Sequence, residues 1–380
     1  MPTGGRSIPI LVPIACFTDG TALNIKRRGT TAAVAASPIN PNAIPVSNPI
    51  IANNVKFIIY IYIPSLLKID FIFNNEPTVQ EMTEILMAAA KKQPKTTLSI
   101  TFCECGENDS NGMEKLGERA AEGQGLNLED LKKGALIAKE KLGIRGKIVS
   151  FAPLLDGVDL IDKKGRKGKV HKAWALRIQG FVNAVLKGSG KTMKDLFNEL
   201  NKVTWDTQYW DNKKKKVLNK RARENNCYGD YSQTANIKEG KGSIHNFKDL
   251  PLLSLVRKML YEMFGDKVKL FIAEGNRYED GGAKKHGIGW HGDAERRIVA
   301  CIRLMGAEGA TMPMHFQYFW QWKQIGQRLI MPLDAGDLYV MSEGAVGTDW
   351  LKKPLEIIPR HSTGAEKYTK DKVPKKKKTK

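Results

Sequence analysis

The sequence is poor in cysteine, in long apolar runs and, near its start, in acidic side chains. Its five cysteines are odd in number and scattered through 380 residues, which argues against a secreted domain held by disulfides. The longest apolar run, residues 57–67, is interrupted by Pro64 and bounded by Lys56 and Lys68. A spanning helix needs about 20 apolar residues, so we expect no membrane segment and an intracellular protein that is not secreted.

The chain does contain enough apolar residues for a buried core, together with a large excess of positive charge. Hydrophobic residues make up 42% and aromatic residues 8%, which excludes wholesale disorder and a coiled-coil rod. Lys and Arg number 61 against 40 for Asp and Glu, a net charge of +21. Such a charge favours a polyanionic partner such as nucleic acid.

Most of this charge lies in three basic blocks, residues 163–172, 211–223 and 366–380, each with a net charge of +6. Blocks of this kind bind phosphate backbones without reading sequence, although each alone is also typical of a solvated surface loop. The chain ends in PKKKKTK, which resembles a short nuclear-import signal and equally a disordered tail that contacts DNA. We therefore predict nucleic-acid binding through the three blocks.

The upstream part of the chain divides by composition into an arm, a mixed region and a linker. Residues 1–54 contain one acidic residue and predict an extended N-terminal arm that contacts an assembly partner or the protein's own surface; an organelle transit peptide is the alternative. Residues 55–200 predict an α/β region, and residues 201–244 a basic linker or loop. Within the α/β region we expect the following elements: strands at 55–73, 98–103 and 148–151, a helix from Thr78, and short helical pieces at 112–116, 126–131 and 135–142.

The residues that suggest chemistry lie in the C-terminal half. His291 and Asp293 are spaced as H-x-D, directly before an apolar segment predicted as a strand, Ile298 to Leu304. Residues i and i+2 of an extended segment project to the same face, so this imidazole and carboxylate can hold one ion from one side. Two histidines and one carboxylate form the facial triad of non-haem iron(II) oxygenases, which leaves positions open for oxygen.

A third ligand is available further along the chain. A turn at residues 334–337 leads into a predicted strand at residues 338–341, and His361 follows. A small double-stranded β-helix, or jelly roll, places a distal ligand at such a distance from its H-x-D. We therefore expect an α+β protein with a C-terminal jelly roll over residues 245–370 and an N-terminal α/β embellishment. Both termini are expected to be extended and basic, and the C-terminal one is the tail 371–380.

Taken together, the motifs GNRYED, HGIGWHGDAERR, VACIRL, AGDLYVMSEGAVGTDW and PRHSTG resemble the AlkB-like branch of the Fe(II)/2-oxoglutarate-dependent dioxygenases. More narrowly, they are similar to a divergent set encoded by large DNA viruses and some protists. The upstream stretches TFCECGEN, TWDTQYW and VLNKRAREN are also similar to that set. The resemblance extends over about residues 98–370, and the dioxygenase core over about 245–370.

The resemblance implies Fe(II) and 2-oxoglutarate as cofactors and assigns residues to both. His291 and Asp293 match the proximal iron ligands, and Asn276 and Tyr278 match an N-x-Y that hydrogen-bonds 2-oxoglutarate. The implied chemistry converts 2-oxoglutarate to succinate and hydroxylates a C–H bond; hydroxylation of an N-methyl group leads to demethylation.

One departure from the family pattern leaves two interpretations open. Residues 350–354, which match the stretch that carries the distal histidine, contain lysine in its place. In the first interpretation His361 is the displaced third ligand and Lys367 or Lys370 binds the 2-oxoglutarate carboxylate. In the second, Arg360 binds that carboxylate and the iron has lost a ligand.

The sequence therefore predicts an oxygenase that hydroxylates or demethylates nucleic acid or a nucleic-acid-associated protein, in a nucleus or a virion. The alternative is a non-catalytic structural component of a virion or nucleoprotein, built on a degenerate dioxygenase fold. The missing histidine and the acid-poor arm favour this alternative. The position of His361 relative to His291 and Asp293 distinguishes the two.

Overall fold

The protein divides into two compact units, Met1–Lys92 and Gln93–Lys380. This computed structural model describes three strands of the first unit. The second is described for residues 96–109, 112–267, 272–279, 286–306, 311–348 and 354–371. No helix in these ranges has both the length and the apolarity needed to cross a bilayer.

The first unit contains one antiparallel sheet of three strands, β1 (Ala22–Arg27), β2 (Phe57–Tyr62) and β3 (Ile69–Phe73), in the order β1-β2-β3. The strands predicted over residues 55–73 are confirmed as β2 and β3. The strand β1 lies inside the segment predicted as an extended arm. The helix predicted from Thr78 falls outside the described residues.

The second unit contains seventeen further described strands. Ten of them begin upstream of residue 245: β4 (Thr97–Cys103), β5 (Cys105–Glu107), β6 (Lys115–Gly117), β7 (Gly146–Ser150), β8 (Lys169–Val170), β9 (Trp174–Ile178), β10 (Gln208–Asp211), β11 (Lys216–Asn219), β12 (Glu224–Gly229) and β13 (Ile244–Asn246). Those that follow are β14 (Ile272–Tyr278), β15 (Gly287–His291), β16 (Val299–Met305), β17 (Met314–Trp320), β18 (Lys323–Met331), β19 (Leu338–Met341) and β20 (Glu356–Gly364).

These strands form two principal sheets. The large sheet has eight strands in the order β13-β12-β14-β4-β16-β19-β9-β7, and the small sheet has the order β15-β20-β17-β18 with β8 added beside β20. The large sheet runs across the boundary suggested at residue 245, because β4, β7, β9 and β12 pair with or beside strands from the C-terminal half. Residues 201–244, expected as a linker or loop, contain the hairpin β10–β11 as well as β12, a strand of the large sheet.

Six α-helices lie in the described part of the second unit: α1 (Leu128–Leu142), α2 (Phe181–Leu186), α3 (Met193–Asn201), α4 (Pro251–Phe264), α5 (Glu343–Val346) and α6 (Glu366–Thr369). In α1, the Asn127 side chain accepts hydrogen bonds from the backbone N–H groups of Glu129 and Asp130. Asp130 in turn accepts from the Asn127 N–H, which completes a capping box. Gly143 ends the helix in a left-handed conformation, with φ of 70°.

Two predictions for the region after β4 were wrong. The segment predicted as a helical piece at 112–116 ends in the strand β6. The two pieces predicted at 126–131 and 135–142 are the single helix α1, which continues through Gly134. Gly134 does not break the helix: a Cβ atom there would lie 2.4 Å from the Phe264 ring, so the glycine allows α1 and α4 to approach closely.

The second unit has three layers, with helices on one face of the large sheet and the small sheet on the other. Leu98, Ile100 and Phe102 of β4 are fully buried in a core shared with α1 to α4. Val299 and Cys301 of β16 pack in a second core with Phe316 of the small sheet. Each such side chain contributes about 1.5–3 kcal/mol by burial. The second unit is thus a mixed α+β fold, rich in antiparallel sheet.

The alternation of side chains along the strands turns polar groups of the large sheet towards the small sheet. Ser99 lies between the helix-facing residues of β4, and Arg303 between those of β16. In the register of the sheet, Ser99 is the cross-strand partner of both Arg303 and Asn276. Three adjacent strands therefore place a row of polar side chains on one face.

Candidate metal centre and its cavity

His291 and His361 are brought together by the pairing of β15 with β20, in which their Cα atoms are direct partners. Their ring centroids lie 4.3 Å apart. Asp293 follows the end of β15, where its N–H donates to the Val346 carbonyl at 3.1 Å. The pairing of β15 with β20 thus brings a distant histidine to the H-x-D.

The three side chains form a compact group of ligand atoms. Oδ1 of Asp293 lies 3.4 Å from Nε2 of His291 and 3.3 Å from Nε2 of His361. All three ligand atoms lie within 4.8 Å of one another. Two ligand atoms that bind one metal at about 2.1 Å in adjacent positions lie about 3 Å apart. Small side-chain shifts therefore suffice for this group to hold one ion.

The orientation of His291 suits metal binding. Its Nδ1 lies 2.7 Å from the Gly289 carbonyl, to which it donates, leaving Nε2 with its lone pair towards Asp293 and His361. His361 is 3% exposed, and burial together with the neighbouring His291 lowers its pKa below the ordinary value. A neutral imidazole is the form that binds a metal.

Arg296 holds the other oxygen of the metal-binding carboxylate. Its Nε lies 3.4 Å from Oδ2 of Asp293, opposite the oxygen that faces the histidines. Burial opposes ionisation of Asp293, but Arg296 and the contacts of its carboxylate with the two histidines hold its pKa well below the ordinary value. Arg296 also forms ion pairs with Glu274 and Glu295.

The triad opens onto a cavity of about 330 Å³ between the two sheets. This volume lies at the lower end of the range for small-molecule sites, about 300–1,000 Å³. Residues of both sheets and of the β4–β5 segment line it: Ser99, Thr101, Glu107, Asp109, Arg223, Glu274, Asn276, Tyr278, His291, Asp293, Glu295, Arg296, Arg303, Tyr339, His361 and Thr363, together with smaller or apolar neighbours.

Arg303 is the most unusual residue of this lining. Its side chain has 0% exposure and donates through Nη1 to the Ser99 hydroxyl, while Nε and Nη2 have no hydrogen-bond partner. A buried guanidinium with unused donors costs several kcal/mol. Sequence reasoning missed this residue, although a single charge inside the apolar strand VACIRLM was a usable signal.

Asn276 and Tyr278, matched to the cofactor-binding N-x-Y, both line the cavity. Oδ1 of Asn276 accepts from Nε of Arg223 and from Nδ2 of Asn225, the latter at 2.7 Å, and its Nδ2 donates to Glu274 at 3.2 Å. Burial raises the pKa of Tyr278 to about 12, so its hydroxyl keeps its proton. One amide hydrogen of Asn276 and the Tyr278 hydroxyl remain as donors for a ligand.

Arg360, Lys367 and Lys370, the predicted partners of a 2-oxoglutarate carboxylate, do not line the cavity. Arg360 alternates with His361 along β20 and therefore points to the opposite face, where its guanidinium lies 4.3 Å from the Phe319 ring centroid. Lys367 belongs to α6, and its Nζ lies 4.8 Å from the ring of Tyr368. Arg303, by contrast, lines the cavity with two guanidinium nitrogens that have no hydrogen-bond partner.

Two of the basic blocks have described positions, and the third is described up to Asp371. The first lies between β7 and β9 and includes β8, with Lys169 and its neighbour lying alongside β20. The second forms the turn of the hairpin β10–β11, where Lys213–Lys216 are exposed, and ends at Arg223, which lines the cavity. Of the described residues of the three blocks, only Arg223 lines the cavity.

Fold and site together define an α+β protein with a candidate His–Asp–His metal centre between two sheets. No protein-family model matches the chain. Its sequence is 36% identical over 276 residues to "Uncharacterized protein R156" of Acanthamoeba polyphaga mimivirus, an alignment that covers 73% of this chain and 98% of that protein. The chain belongs to the same family as this mimivirus protein, whose name assigns no activity.

Proposed function

We propose that the protein is an Fe(II)- and 2-oxoglutarate-dependent oxygenase of AlkB type that acts on nucleic acid. The single observation that supports this most is that a His–Asp–His group and an unpaired, fully buried arginine line one cavity. The first group suits iron(II) and leaves adjacent positions open. The buried arginine suits a carboxylate that binds in the same cavity as the iron.

The donor set fits both implied groups. Two imidazole nitrogens and one carboxylate oxygen are the ligands that non-haem iron(II) prefers. Arg303 would hold the distal carboxylate of 2-oxoglutarate, with the Tyr278 hydroxyl as a further donor. Iron(II), 2-oxoglutarate and O₂ together supply C–H hydroxylation, with release of succinate and CO₂.

The side chains of the chain itself bind, orient and shield. Arg296 fixes Oδ2 of Asp293, which leaves Oδ1 to face the metal with the two histidines. Gly289 fixes the His291 ring through its carbonyl. The two sheets on either side exclude bulk water, which strengthens the pairing of Arg303 with an anion.

The strand order supports the finer fold prediction, a jelly roll. A jelly roll places its first, eighth, third and sixth strands in one sheet and its second, seventh, fourth and fifth in the other. Counting β14 to β20 as the first seven, the small sheet β15-β20-β17-β18 and the neighbours β14, β16 and β19 follow that order. The eighth place is taken by β4, which precedes the others in sequence.

The carboxylate partner was predicted at Arg360 on β20, or at Lys367 or Lys370 shortly after it. In the jelly-roll order, the strand that closes the barrel is β4. The closing strand β4 has the sequence TLSITFC and carries no cation. Arg303 on the neighbouring β16, paired through Ser99, is proposed to take over that function.

The basic blocks support a nucleic-acid substrate, because Arg223 connects the hairpin β10–β11 with the cavity. Polyanion binding through such blocks weakens as salt concentration rises. Anaerobic addition of Fe(II) and then 2-oxoglutarate should give a metal-to-ligand absorption band, and admission of O₂ should give succinate. Absence of both would contradict the proposal and favour a non-catalytic structural protein.

A further inference from the structure

The turn between β17 and β18 has an unusual backbone. Its two central residues, Gln321 and Trp322, have φ of 46° and 65°, and the flanking residues Trp320 and Lys323 pair directly. A two-residue turn with this left-handed conformation is usually made by Asn-Gly, because bulky side chains are strained there. The sequence therefore keeps a tryptophan where glycine would adopt the backbone more easily.

This tryptophan is also exposed. Trp322 has 57% of its surface open to solvent, more than any other large hydrophobic side chain among the described residues. Backbone strain persists mostly at positions where function requires it. An exposed indole in a strained turn therefore indicates a contact surface.

The indole lies at a shallow groove on the face of the small sheet that points away from the metal centre. Phe319 and Ile358, cross-strand partners on β17 and β20, line this groove together with Trp322 and Pro354. Along its strand, each of these two partners alternates with residues that face the core between the sheets. The groove shares no lining residue with the cavity, so it is a separate surface.

The first basic block, residues 163–172, lies beside this groove. Its strand β8 pairs with the start of β20, and Nζ of Lys169 lies 3.7 Å from Glu356, a residue that lines the groove. A Cβ atom on Gly168 would lie 2.5 Å from the Ile357 side chain and 3.1 Å from the Trp320 ring. The block is thus packed against the strands that carry the turn and the groove.

The charges of the block are available to an anionic partner. Lys163, Lys164 and Lys167 are exposed and form no ion pair with a described residue. Glu356, the acidic residue of the groove, is already paired with Lys169 and in contact with His171. The surface therefore combines an exposed aromatic ring with unpaired positive charge.

We propose that the Trp322 turn and the first basic block bind a single strand of nucleic acid, with the indole stacked on a base and the lysines paired with phosphates. An aromatic ring beside a basic segment is the combination that holds single strands without reading their sequence. The proposal rests on the nucleic-acid substrate of the proposed function and is independent of the metal centre. Because the groove and His361 lie on opposite faces of β20, this surface holds nucleotides that flank the reacting one.

The experiment compares two probes of equal length, oligodeoxythymidine and an abasic oligonucleotide with the same phosphates, by fluorescence anisotropy with the full chain. Stacking on one base corresponds to about 5- to 150-fold in affinity, so the wild type should prefer oligodeoxythymidine by at least about fivefold. Trp322→Gly should lose most of that preference and bind the abasic strand as the wild type does. Since glycine adopts a φ of 65° without strain, this variant should keep or raise the urea midpoint, which separates lost binding from unfolding.

Three further variants serve as controls. Trp322→Tyr retains a ring and should retain most of the preference. Tyr231→Ala removes an aromatic side chain that is 51% exposed and lines neither groove nor cavity, so both affinities should stay unchanged. Replacement of Lys163, Lys164 and Lys167 together by Gln should weaken both probes equally and flatten the salt dependence of binding.

Equal affinity of the wild type for the two probes, binding of neither, or an unchanged preference in Trp322→Gly would overturn the proposal. A loss in Trp322→Gly that is equal for both probes would overturn it as well, because the indole would then not act through a base. The Fe(II) and 2-oxoglutarate absorption band tests the proposed function separately. If the band forms and the preference is absent, the surface is wrong and the metal centre stands; if the preference is present and no band forms, the surface stands and the oxygenase fails.

Discussion

His291 and His361 are direct cross-strand partners on β15 and β20, and Nε2 of each lies within 3.4 Å of the same oxygen of Asp293. Of the two interpretations that the sequence left open, this geometry favours the one in which His361 completes the ligand set. His361 reaches the group through the pairing of β20 with β15, although lysine occupies the usual histidine position. The main sequence-based argument for a degenerate site is thereby weakened.

Arg303 should govern affinity for 2-oxoglutarate. Arg303→Met removes a charge-assisted pair to the carboxylate, so the KM for 2-oxoglutarate should rise about 10- to 100-fold. Metal affinity should stay within about twofold, since Arg303 contacts none of the three ligands. Steady-state succinate formation and anaerobic metal titration measure the two quantities.

Arg360→Met is the matched control for this prediction. Arg360 lies beside Phe319 on the opposite face of β20, so its replacement should leave the KM for 2-oxoglutarate unchanged. If Arg360→Met raises the KM and Arg303→Met does not, the carboxylate partner is the one that the sequence suggested.

Arg296 should be essential for stability as well as for the site. Arg296→Met leaves Asp293, Glu274 and Glu295 buried without their shared cation, which costs about 3–5 kcal/mol in the free energy of unfolding. Urea denaturation at pH 7 measures the loss. Lys132→Met, which breaks the exposed pair with Glu129, should cost less than about 0.5 kcal/mol; similar losses in both variants would show that the Arg296 cluster is not tightly coupled.

Glu107 should make the protein less stable as pH rises. Its pKa is raised from 4.5 to about 7 by burial and by Glu295 and Glu274, so the folded state holds a proton that the unfolded state releases. Stability from this group therefore falls between about pH 4.5 and pH 7 and then levels off. Glu107→Gln should be more stable than wild type by about 1–3 kcal/mol at pH 8.

At pH 5 the same pair should differ by less than about 1 kcal/mol, because Glu107 is then mostly protonated in the folded state. Urea denaturation at both pH values checks the difference. A stability gain that is equal at pH 5 and pH 8 would mean that the ionisation of Glu107 is not its cause.

Local patterns were sufficient to predict several strands and one shared face of the candidate metal centre. The strands at 98–103 and 338–341 follow from runs of apolar and β-branched residues, and the shared face of His291 and Asp293 follows from a period of two. His361 was one of the two interpretations that the sequence left open, and it rested on a turn-and-strand element and on the family resemblance. The strands and the shared face of His291 and Asp293 depend on neighbours in sequence.

The features that were missed depend on contacts between distant segments. The insertion of β4 between β14 and β16 has no local signature, so the strand was assigned to a separate region. Arg303 acquires its cross-strand partner Ser99 only through that insertion. Gly134 indicated a helix break in sequence, whereas in the fold it permits contact with Phe264.

The most direct test of the central claim is anaerobic titration of three proteins with Fe(II) in the presence of 2-oxoglutarate. Wild type and His315→Ala, a histidine of β17 that does not line the cavity, should both develop the metal-to-ligand absorption band with one iron per chain. His361→Ala should lose the band or require at least about tenfold more iron. A band of equal intensity and midpoint in His361→Ala would contradict the account, because the second histidine would then not be a ligand.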